Sequence, residues 1–153
     1  MTTVRTIRGM NELLAAEGED LGMSDWLEVT QPLIDAFAQA TGDTYWIHTD
    51  PERAAAGPLG STIAHGLYTL SLGPMFFDSL VTFEDFSVRL NYGYDRVRFP
   101  APLPVGSRVR MHCRLAQVKS SGSTATASLR QTFEREGDAK PVCVAERVVH
   151  FVA

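Results

Sequence analysis

The sequence predicts an α+β protein in which an antiparallel sheet wraps round one long apolar helix. Three observations support this: helical spacing in the first half, a nearly continuous apolar segment from Ile63 to Phe77, and two-residue alternation after it. Helices that precede a run of strands, rather than alternate with them, are typical of α+β domains. A chain of 153 residues is long enough for one core, so we treat residues 1–153 as a single domain.

The chain begins with a short helix and a short strand. Apolar residues recur at helical spacing from Met10 to Glu17, and Gly18 is typical of a helix end. The segment from Trp26 to Val29 is predicted as a strand.

Capping residues mark two further helices. Thr30 precedes apolar residues at helical spacing through Thr41, and Gly42 predicts the end of that helix. Asp50 before a proline is a second N-cap signal, so we expect a short helix from Pro51 to Ala56.

The segment from Ile63 to Phe77 is hydrophobic nearly all round, which is typical of a buried helix. Gly73 and Pro74 predict a kink or an interruption near its end. Because one sheet covers only one side of a helix, we expect a second copy of the chain to cover the other. The sequence therefore predicts a homodimer.

The second half of the chain alternates polar and apolar residues, the pattern of half-buried strands. Turn signals at 121–123 and 137–138 separate the last strands, so these should be antiparallel neighbours. The alternating segments are 86–91, 96–99, 108–115, 124–129 and 142–152.

The composition excludes several classes of protein. Lys and Arg number 14 against 18 Asp and Glu, a net charge of −4, which argues against a dedicated nucleic-acid binder. No apolar run approaches the roughly 20 residues of a membrane span, and the N-terminus lacks a signal-peptide pattern. We therefore expect a cytoplasmic protein with neither nucleic acid nor membrane as partner. Cys113 and Cys143 lie in apolar or alternating segments and are predicted to be buried, reduced thiols.

Arginine is concentrated in one part of the chain. The cluster is either a solvated sheet face or a small basic patch for an anionic head group such as a phosphate. Its members are Arg89, Arg96, Arg98, Arg108, Arg110 and Arg114.

A loop between two predicted helices holds Asp43 and His48, five positions apart. A carboxylate and an imidazole close together can hold one water, take a proton from it and deliver a proton to a neighbouring atom. Tyr45, Trp46 and Ile47 would separate the pair from solvent. Alternatively, Asp43 caps the turn and His48 is an ordinary hydrogen-bonded loop histidine.

The start of the apolar helix is the second candidate site. A helix N-terminus offers free backbone N–H groups, and Gly66 would let a ligand approach the backbone closely. Such an N–H could stabilise a carbonyl oxygen as it becomes an enolate. Alternatively, Gly66 serves close helix packing and His65 forms a cap or a core hydrogen bond.

Two motifs that follow one another in the chain resemble those of a known family. The run from Phe37 to Pro51, followed by Ile63-Ala64-His65-Gly66, resembles the hydratase-2 motif of the MaoC-like (R)-specific enoyl-CoA hydratases. Segments 91–93, 97–100 and 104–107 resemble the sheet region of the same family. The similarity extends from about Asp25 to Phe151 and is greatest to the nodulation protein N-like branch, which includes a mycobacterial (R)-hydratase.

The resemblance implies a hot-dog fold, usually dimeric, and a role in fatty acid metabolism. It implies reversible hydration of trans-2-enoyl-CoA, or of an enoyl group on an acyl carrier, to the (R)-3-hydroxyacyl thioester. No metal and no redox cofactor is implied. By position, Asp43 and His48 match the pair that holds the water, with His48 chiefly activating it and Asp43 chiefly transferring the proton. Gly66 matches the glycine whose N–H binds the thioester oxygen.

The chain also departs from the family pattern. Tyr45 and Trp46 stand where the usual motif has Asn-Pro, so the orienting role of that asparagine passes elsewhere, and Asn91 is our candidate. Pro74 stands near the place of a serine that some members use. His65 and Arg98 are further candidates for supporting the pair or contacting substrate.

Two other functions fit the same residues. A hot-dog thioesterase would use Asp43 to activate water against the carbonyl carbon, although the paired His48 fits hydration better. A non-catalytic acyl-binding subunit would support a partner hydratase, although the complete set of Asp43, His48 and Gly66 argues against it.

Overall fold

The helices and strands of the computed structural model follow the predicted order, with helices in the first half and long strands in the second. The structure describes residues 4–153. The helices are α1 (Gly9–Ala15), α2 (Gln31–Thr41), α3 (Trp46–Thr49), α4 (Pro51–Ala55), α5 (Gly66–Ser71) and α6 (Gly73–Leu80). The strands are β1 (Arg5–Arg8), β2 (Asp20–Met23), β3 (Leu27–Glu28), β4 (Val81–Glu84), β5 (Val88–Arg98), β6 (Arg108–Ser121), β7 (Thr124–Arg135) and β8 (Cys143–Val152).

The main sheet is antiparallel and has six strands in the order β2-β6-β7-β8-β5, with β3 also paired to β6. The prediction that the last strands are antiparallel neighbours is confirmed for β6, β7 and β8. The strand β5 pairs with β8 and forms one edge of the sheet.

The long apolar helix is the main correction to the predicted elements. Ile63 is not helical but forms an isolated bridge with Pro104, and α5 begins only at Gly66. The helix is interrupted at Leu72, so that α5 and α6 replace one continuous element. The predicted interruption near Pro74 is thus confirmed, because proline lacks the N–H that would continue the hydrogen-bond ladder.

Both helices of the α5–α6 pair pack on the core face of the sheet, α5 against β8 and α6 against β6. Phe76, Phe77 and Leu80 are buried there, and the Phe76 ring lies 6.3 Å from that of Phe133 on β7. The other side of the pair is open, however. Leu67 and Met75 are 59% and 51% exposed, so the sheet covers only one side of the helix pair in the single chain, and its burial on the other side by a second copy stays a prediction.

Most of the capping residues that the sequence predicts at helix ends are confirmed. Gly42 ends α2 with φ +78°, the left-handed conformation that glycine adopts without strain. The Asp50 carboxylate accepts a hydrogen bond from the Arg53 N–H at 3.0 Å and so caps α4. Thr30 occupies the N-cap position of α2 but makes no side-chain capping bond.

Three short strands are absent from the sequence predictions. β1 pairs in parallel with β4 to form a two-stranded sheet, and β2 pairs with β6. Each has only four residues, too few for a periodic pattern to identify them.

Both cysteines are buried and free, as predicted, and burial raises the pKa of each thiol to about 12. Among residues 4–153, no helix is long and apolar enough to cross a membrane.

Candidate active site

The imidazole of His48 is held by a backbone carbonyl. His48 lies in the one-turn helix α3 and is only 8% exposed. Its Nδ1 lies 2.7 Å from the carbonyl oxygen of Ile63. Because a carbonyl only accepts, Nδ1 must carry the proton, and Nε2 of the neutral ring is left as an acceptor.

The backbone around His48 is fixed by a glutamine from α2. Gln31 Nε2 donates to the His48 carbonyl at 2.7 Å and to the Asp35 carboxylate at 2.8 Å. The Thr62 hydroxyl donates to Gln31 Oε1, and the Ile63 N–H donates to the carbonyl of Ile47 at 3.0 Å. Gln31 therefore ties together the two chain segments that position the imidazole.

The carboxylate of Asp43 lies beside the two buried histidines. Asp43 follows the left-handed Gly42, and its side chain is 55% exposed. His65 Nε2 donates to the Asp43 backbone carbonyl at 2.9 Å and lies 4.0 Å from carboxylate Oδ2. His65 thus fixes the loop that carries the carboxylate.

The rings of His48 and His65 stack on one another. Their centroids are 3.8 Å apart with an interplanar angle of 23°, and His65 is only 3% exposed. One ligand atom from each of Asp43, His48 and His65 lies within 4.8 Å of the others. These donor types also occur in zinc sites, but two of the imidazole nitrogens already contact backbone carbonyls.

Burial sets the protonation state of His48. Removal from water lowers the pKa of His48 below its ordinary value of 6.5, and the neighbouring His65 lowers it further. The Ile63 carbonyl and the Asp43 carboxylate act in the opposite direction but are weaker than the burial effect. His48 is therefore neutral near pH 7 and can accept a proton at Nε2.

A cavity of about 270 Å³ adjoins the imidazole. Gly66 and Thr69 of α5 line it together with Phe99, which follows β5. A Cβ on Gly66 would lie 2.8 Å from the Phe99 ring, so only glycine lets this ring pack against the start of α5. The Gly66 N–H occupies the first turn of α5, where backbone donors have no helical acceptor. The other lining residues are His48, Ile63, Ala64, Ala101, Pro102, Leu103 and Val142.

The geometry permits acid–base chemistry on a single water. A ring nitrogen of His48 and a carboxylate oxygen of Asp43 lie within 4.8 Å of each other, a separation that one hydrogen-bonded water can bridge. The structure brings these two groups together beside the cavity that Gly66 lines.

The side chains of the remaining candidates are exposed or make other contacts. Tyr45 is 57% exposed, so it does not shield the pair within the single chain. Trp46 packs under the Arg53 guanidinium at 4.3 Å. Asn91 Oδ1 accepts from Arg147 Nε at 2.9 Å, and Gln31 rather than Asn91 ties down the backbone of His48. Exposed Arg98 donates to the carbonyl of Val97.

The arginine cluster is split between ion pairs and free side chains. Arg89, Arg108 and Arg110 pair with Asp78, Glu136 and Glu134 respectively. In the described part of the chain, Arg96, Arg98 and Arg114 have no carboxylate oxygen within 4.0 Å.

Three residues of the site are absent from the sequence predictions: Gln31, Thr62 and the ring of Phe99. Gln31 bonds to His48 and Thr62, which follow it by 17 and 31 positions in the chain. No local sequence pattern indicates such contacts. The Phe99 ring lies where a Cβ on Gly66 would be, and this contact likewise forms only in the folded chain.

Comparison with protein families identifies the chain. Residues 12–136 match the MaoC like domain. The chain belongs to the MaoC-like dehydratase family. This membership confirms the predicted family and the predicted enzyme class, a hydro-lyase.

Two relatives extend the match along nearly the whole chain. The 3-hydroxyacyl-thioester dehydratase Z of Mycobacterium tuberculosis is 51% identical over 98% of this chain and 100% of its own length. Nodulation protein N of Rhizobium leguminosarum bv. viciae is 42% identical over 89% of each chain. Both agree with the predicted branch of the family.

Solved structures confirm the predicted hot-dog fold. A monoamine oxidase regulatory protein from Archaeoglobus fulgius superposes with a TM-score of 0.79 at 22% identity, over 97% of each chain. The (R)-hydratase from A. caviae gives a TM-score of 0.71 at 21% identity, over 87% of this chain and 94% of its own.

Proposed function

We propose that this MaoC-like protein is an (R)-specific enoyl-thioester hydratase that reversibly converts trans-2-enoyl thioesters to (R)-3-hydroxyacyl thioesters. The observation that carries the proposal is the state of His48. Its Nδ1 is occupied by the Ile63 carbonyl, which leaves Nε2 as the acceptor of a ring that lies beside the Asp43 carboxylate. The substrate class agrees with the name of the mycobacterial relative, a 3-hydroxyacyl-thioester dehydratase.

The reaction requires one water and no net change in the protein. The water oxygen bonds to C3 while His48 Nε2 takes one of its protons. The electrons of the double bond move toward the thioester oxygen, which the Gly66 N–H stabilises as an enolate. The imidazolium of His48 then passes its proton to the Asp43 carboxylate, and Asp43 delivers it to C2 of the enolate, so the water is added completely and both side chains return to their starting states.

The substrate is a thioester of coenzyme A or of an acyl carrier, in line with a role in fatty acid metabolism. Arg98 is our candidate for contact with the phosphates of the carrier, since its guanidinium is exposed and close in sequence to Phe99 at the cavity. The Michaelis constant of Arg98→Ala tests this assignment. The proposed chemistry needs neither a metal nor a redox cofactor.

The active form is a homodimer in this proposal. β5 has 11 residues and pairs on one edge with β8, while its other edge lies at the boundary of the sheet. Val88, Leu90 and Tyr92 on this strand are 43%, 54% and 76% exposed. Long apolar edge strands are normally covered, and antiparallel pairing of two such strands is compatible with two-fold symmetry.

The first experiment follows the loss of the conjugated enoyl-thioester absorbance of crotonyl-CoA, with chiral analysis of the product. We expect the (R)-alcohol and no loss of rate after treatment with EDTA. Asp43→Asn and His48→Gln should each reduce turnover about 10²–10⁴-fold, because each removes one partner of the proton transfer. Asp25→Asn and His112→Gln, which alter residues outside both the site and β5, serve as matched controls and should retain activity.

Other outcomes identify the alternatives. Retained rates in both site variants, or the (S)-alcohol, would refute the proposed mechanism. Release of free coenzyme A from a saturated acyl-CoA would indicate a thioesterase. Binding of enoyl-CoA without turnover until a second protein is added would indicate a non-catalytic subunit. Sensitivity to EDTA would assign the Asp43, His48 and His65 cluster to a metal.

A further inference from the structure

Thr69 brings a hydroxyl group to the candidate site, and the proposed reaction gives it no role. The residue lies on α5, is only 2% exposed, and lines the same cavity as His48 and Gly66. The other side chains that line the cavity are aliphatic or aromatic and carry no hydrogen-bonding group. Among the lining side chains, the Thr69 hydroxyl and the His48 imidazole are therefore the two that can form hydrogen bonds with a substrate.

The fold does not use the Thr69 hydroxyl. Serine and threonine in helices often donate to a carbonyl of the preceding turn, as Thr41, Ser71 and Ser79 do here at 2.8, 2.6 and 2.6 Å. Among residues 4–153, the Thr69 hydroxyl has no hydrogen-bond partner. The Thr69 oxygen is also not among the side-chain atoms that are sealed in the core without a partner. The hydroxyl is therefore free to bond a molecule in the cavity.

The spacing along α5 brings Thr69 close to the Gly66 N–H. The two residues are three positions apart, so they are neighbours on one face of the helix. Helical side chains lean toward the N-terminus of their helix, so that of Thr69 extends over the turn that begins at Gly66. In a capping box, a long side chain at this spacing reaches the N–H three residues earlier. The shorter threonine leaves room for one oxygen atom between its hydroxyl and that N–H.

The thioester oxygen has room for a second donor when it becomes an enolate. Sites that stabilise such oxygens combine several donors aimed at the developing charge, and side-chain hydroxyls occur among them beside backbone N–H groups. In the proposed reaction, the Gly66 N–H is the one donor assigned to this oxygen. A carbonyl oxygen has two lone pairs, so a hydroxyl beside the N–H completes its coordination.

We propose that the Thr69 hydroxyl is the second donor to the thioester oxygen, so that Thr69 is a further catalytic residue of the reaction. The hydroxyl proton stays on Thr69 throughout. It stabilises the enolate more than the neutral carbonyl, because hydrogen bonds to charged acceptors are the stronger ones. The interaction therefore raises kcat rather than tightening substrate binding. This inference rests on the proposed function for the position of the thioester oxygen beside Gly66.

Two substitutions separate the hydroxyl from the shape of the side chain. Thr69→Val removes the hydroxyl and keeps the branched shape, whereas Thr69→Ser keeps the hydroxyl. With crotonyl-CoA, we expect Thr69→Val to lower kcat about 10²-fold with little change in KM, and Thr69→Ser to retain most of the activity. Thr126→Val on β7, outside the site, is the matched control and should leave kcat unchanged. A role in packing alone would give the opposite order, since valine fills the space better than serine.

An enolate probe shows which atom the hydroxyl contacts. Acetoacetyl-CoA loses a C2 proton to solvent and gives an enolate with its own ultraviolet absorbance, so the enolate fraction of the bound probe is measured without turnover. At a fixed pH where the enolate is the minor form, we expect this fraction to be about tenfold lower in Thr69→Val than in the wild type. Thr69→Ser and Thr126→Val should resemble the wild type.

Thermal unfolding tests whether the hydroxyl is free in the folded chain. Replacing a hydroxyl that has no partner with an apolar group of the same shape leaves no buried group unsatisfied, so Thr69→Val should not lower the melting temperature. A clear decrease would show that the hydroxyl is bonded within the fold and would overturn the proposal.

The two activity readouts also distinguish this inference from the proposed function. Equal kcat in Thr69→Val and the wild type would overturn the second donor. An unchanged enolate fraction in a variant whose kcat falls would overturn it as well, since the hydroxyl would then act at another atom. If crotonyl-CoA is hydrated but neither readout depends on Thr69, only this inference fails. If the enolate fraction depends on Thr69 but no enoyl thioester is hydrated, only the proposed function fails.

Discussion

The chemistry of His48 depends on the one ring nitrogen that the fold leaves free. The Ile63 carbonyl fixes the tautomer, and Gln31 holds the backbone on which the ring is mounted. The stacked His65 lies against the ring and also bonds the carbonyl of Asp43. Both members of the proposed catalytic pair are therefore positioned through their backbone carbonyls, by the side chains of Gln31 and His65.

The acidic limb of the pH–rate profile should lie below pH 6.5. Burial lowers the pKa of His48 from its ordinary value of 6.5, and only the neutral ring accepts a proton from water. The value of kcat/KM should therefore stay high as pH falls through 6.5 and decline only at the lowered pKa. Measurement of kcat/KM with crotonyl-CoA between about pH 5 and 8 checks this, and a limb at or above 6.5 would contradict it.

The same pKa shift has a consequence for stability. Between the lowered folded pKa and 6.5, the unfolded chain binds a proton at His48 that the folded chain does not bind. The free energy of unfolding should therefore decrease as pH falls through this window. Urea unfolding of His48→Gln should lack this part of the pH dependence, while His150→Gln should retain it.

At the scale of elements, the site is built where α5 begins and where β5 ends. Gly66 supplies the first turn of α5, and Phe99 comes directly after β5 and packs its ring against the glycine. The contact between them forms one wall of the cavity. The shape of the cavity therefore depends on how this helix and this strand meet.

Gly66→Ala should reduce kcat/KM about 10–100-fold, because the new Cβ would lie 2.8 Å from the Phe99 ring and force it, or the N–H of residue 66, out of place. Gly93→Ala on β5 is the matched control, since a Cβ there meets nothing within 4 Å. Adding Phe99→Ala to Gly66→Ala should restore part of the activity. Full activity in Gly66→Ala would show that neither the ring nor the N–H matters.

Local signals account for the elements that the sequence predicted well. Gly42 and Asp50 act within one turn of their own helices, so their roles are visible without a fold. The pairing of β1 with β4 joins residues 76 positions apart and leaves no local trace. In the same way, Asp43 and His48 could be proposed from their spacing and the family resemblance. Gln31, whose bonds cross between segments, could not.

At the scale of the molecule, residues 4–153 leave two apolar regions open in the single chain. One is the outer side of α5 and α6, where Leu67 and Met75 are exposed. The other is β5, at the edge of the sheet, with its exposed Leu90 and Tyr92. A second copy that pairs along β5 would extend the sheet and cover an edge that natural proteins seldom leave bare.

Sedimentation equilibrium should give a mass of twice 16.8 kDa for the wild-type protein. Leu90→Lys should weaken the dimer about tenfold or more, because a two-fold axis brings both new charges to the same interface. Leu14→Lys is the matched control: Leu14 is 38% exposed on α1, away from β5, and the change should leave the mass unaltered. A monomeric wild-type protein, or equal effects of the two substitutions, would refute pairing along β5. If the isolated chain of Leu90→Lys stays folded but loses turnover at low concentration, the cavity requires the second copy to be complete.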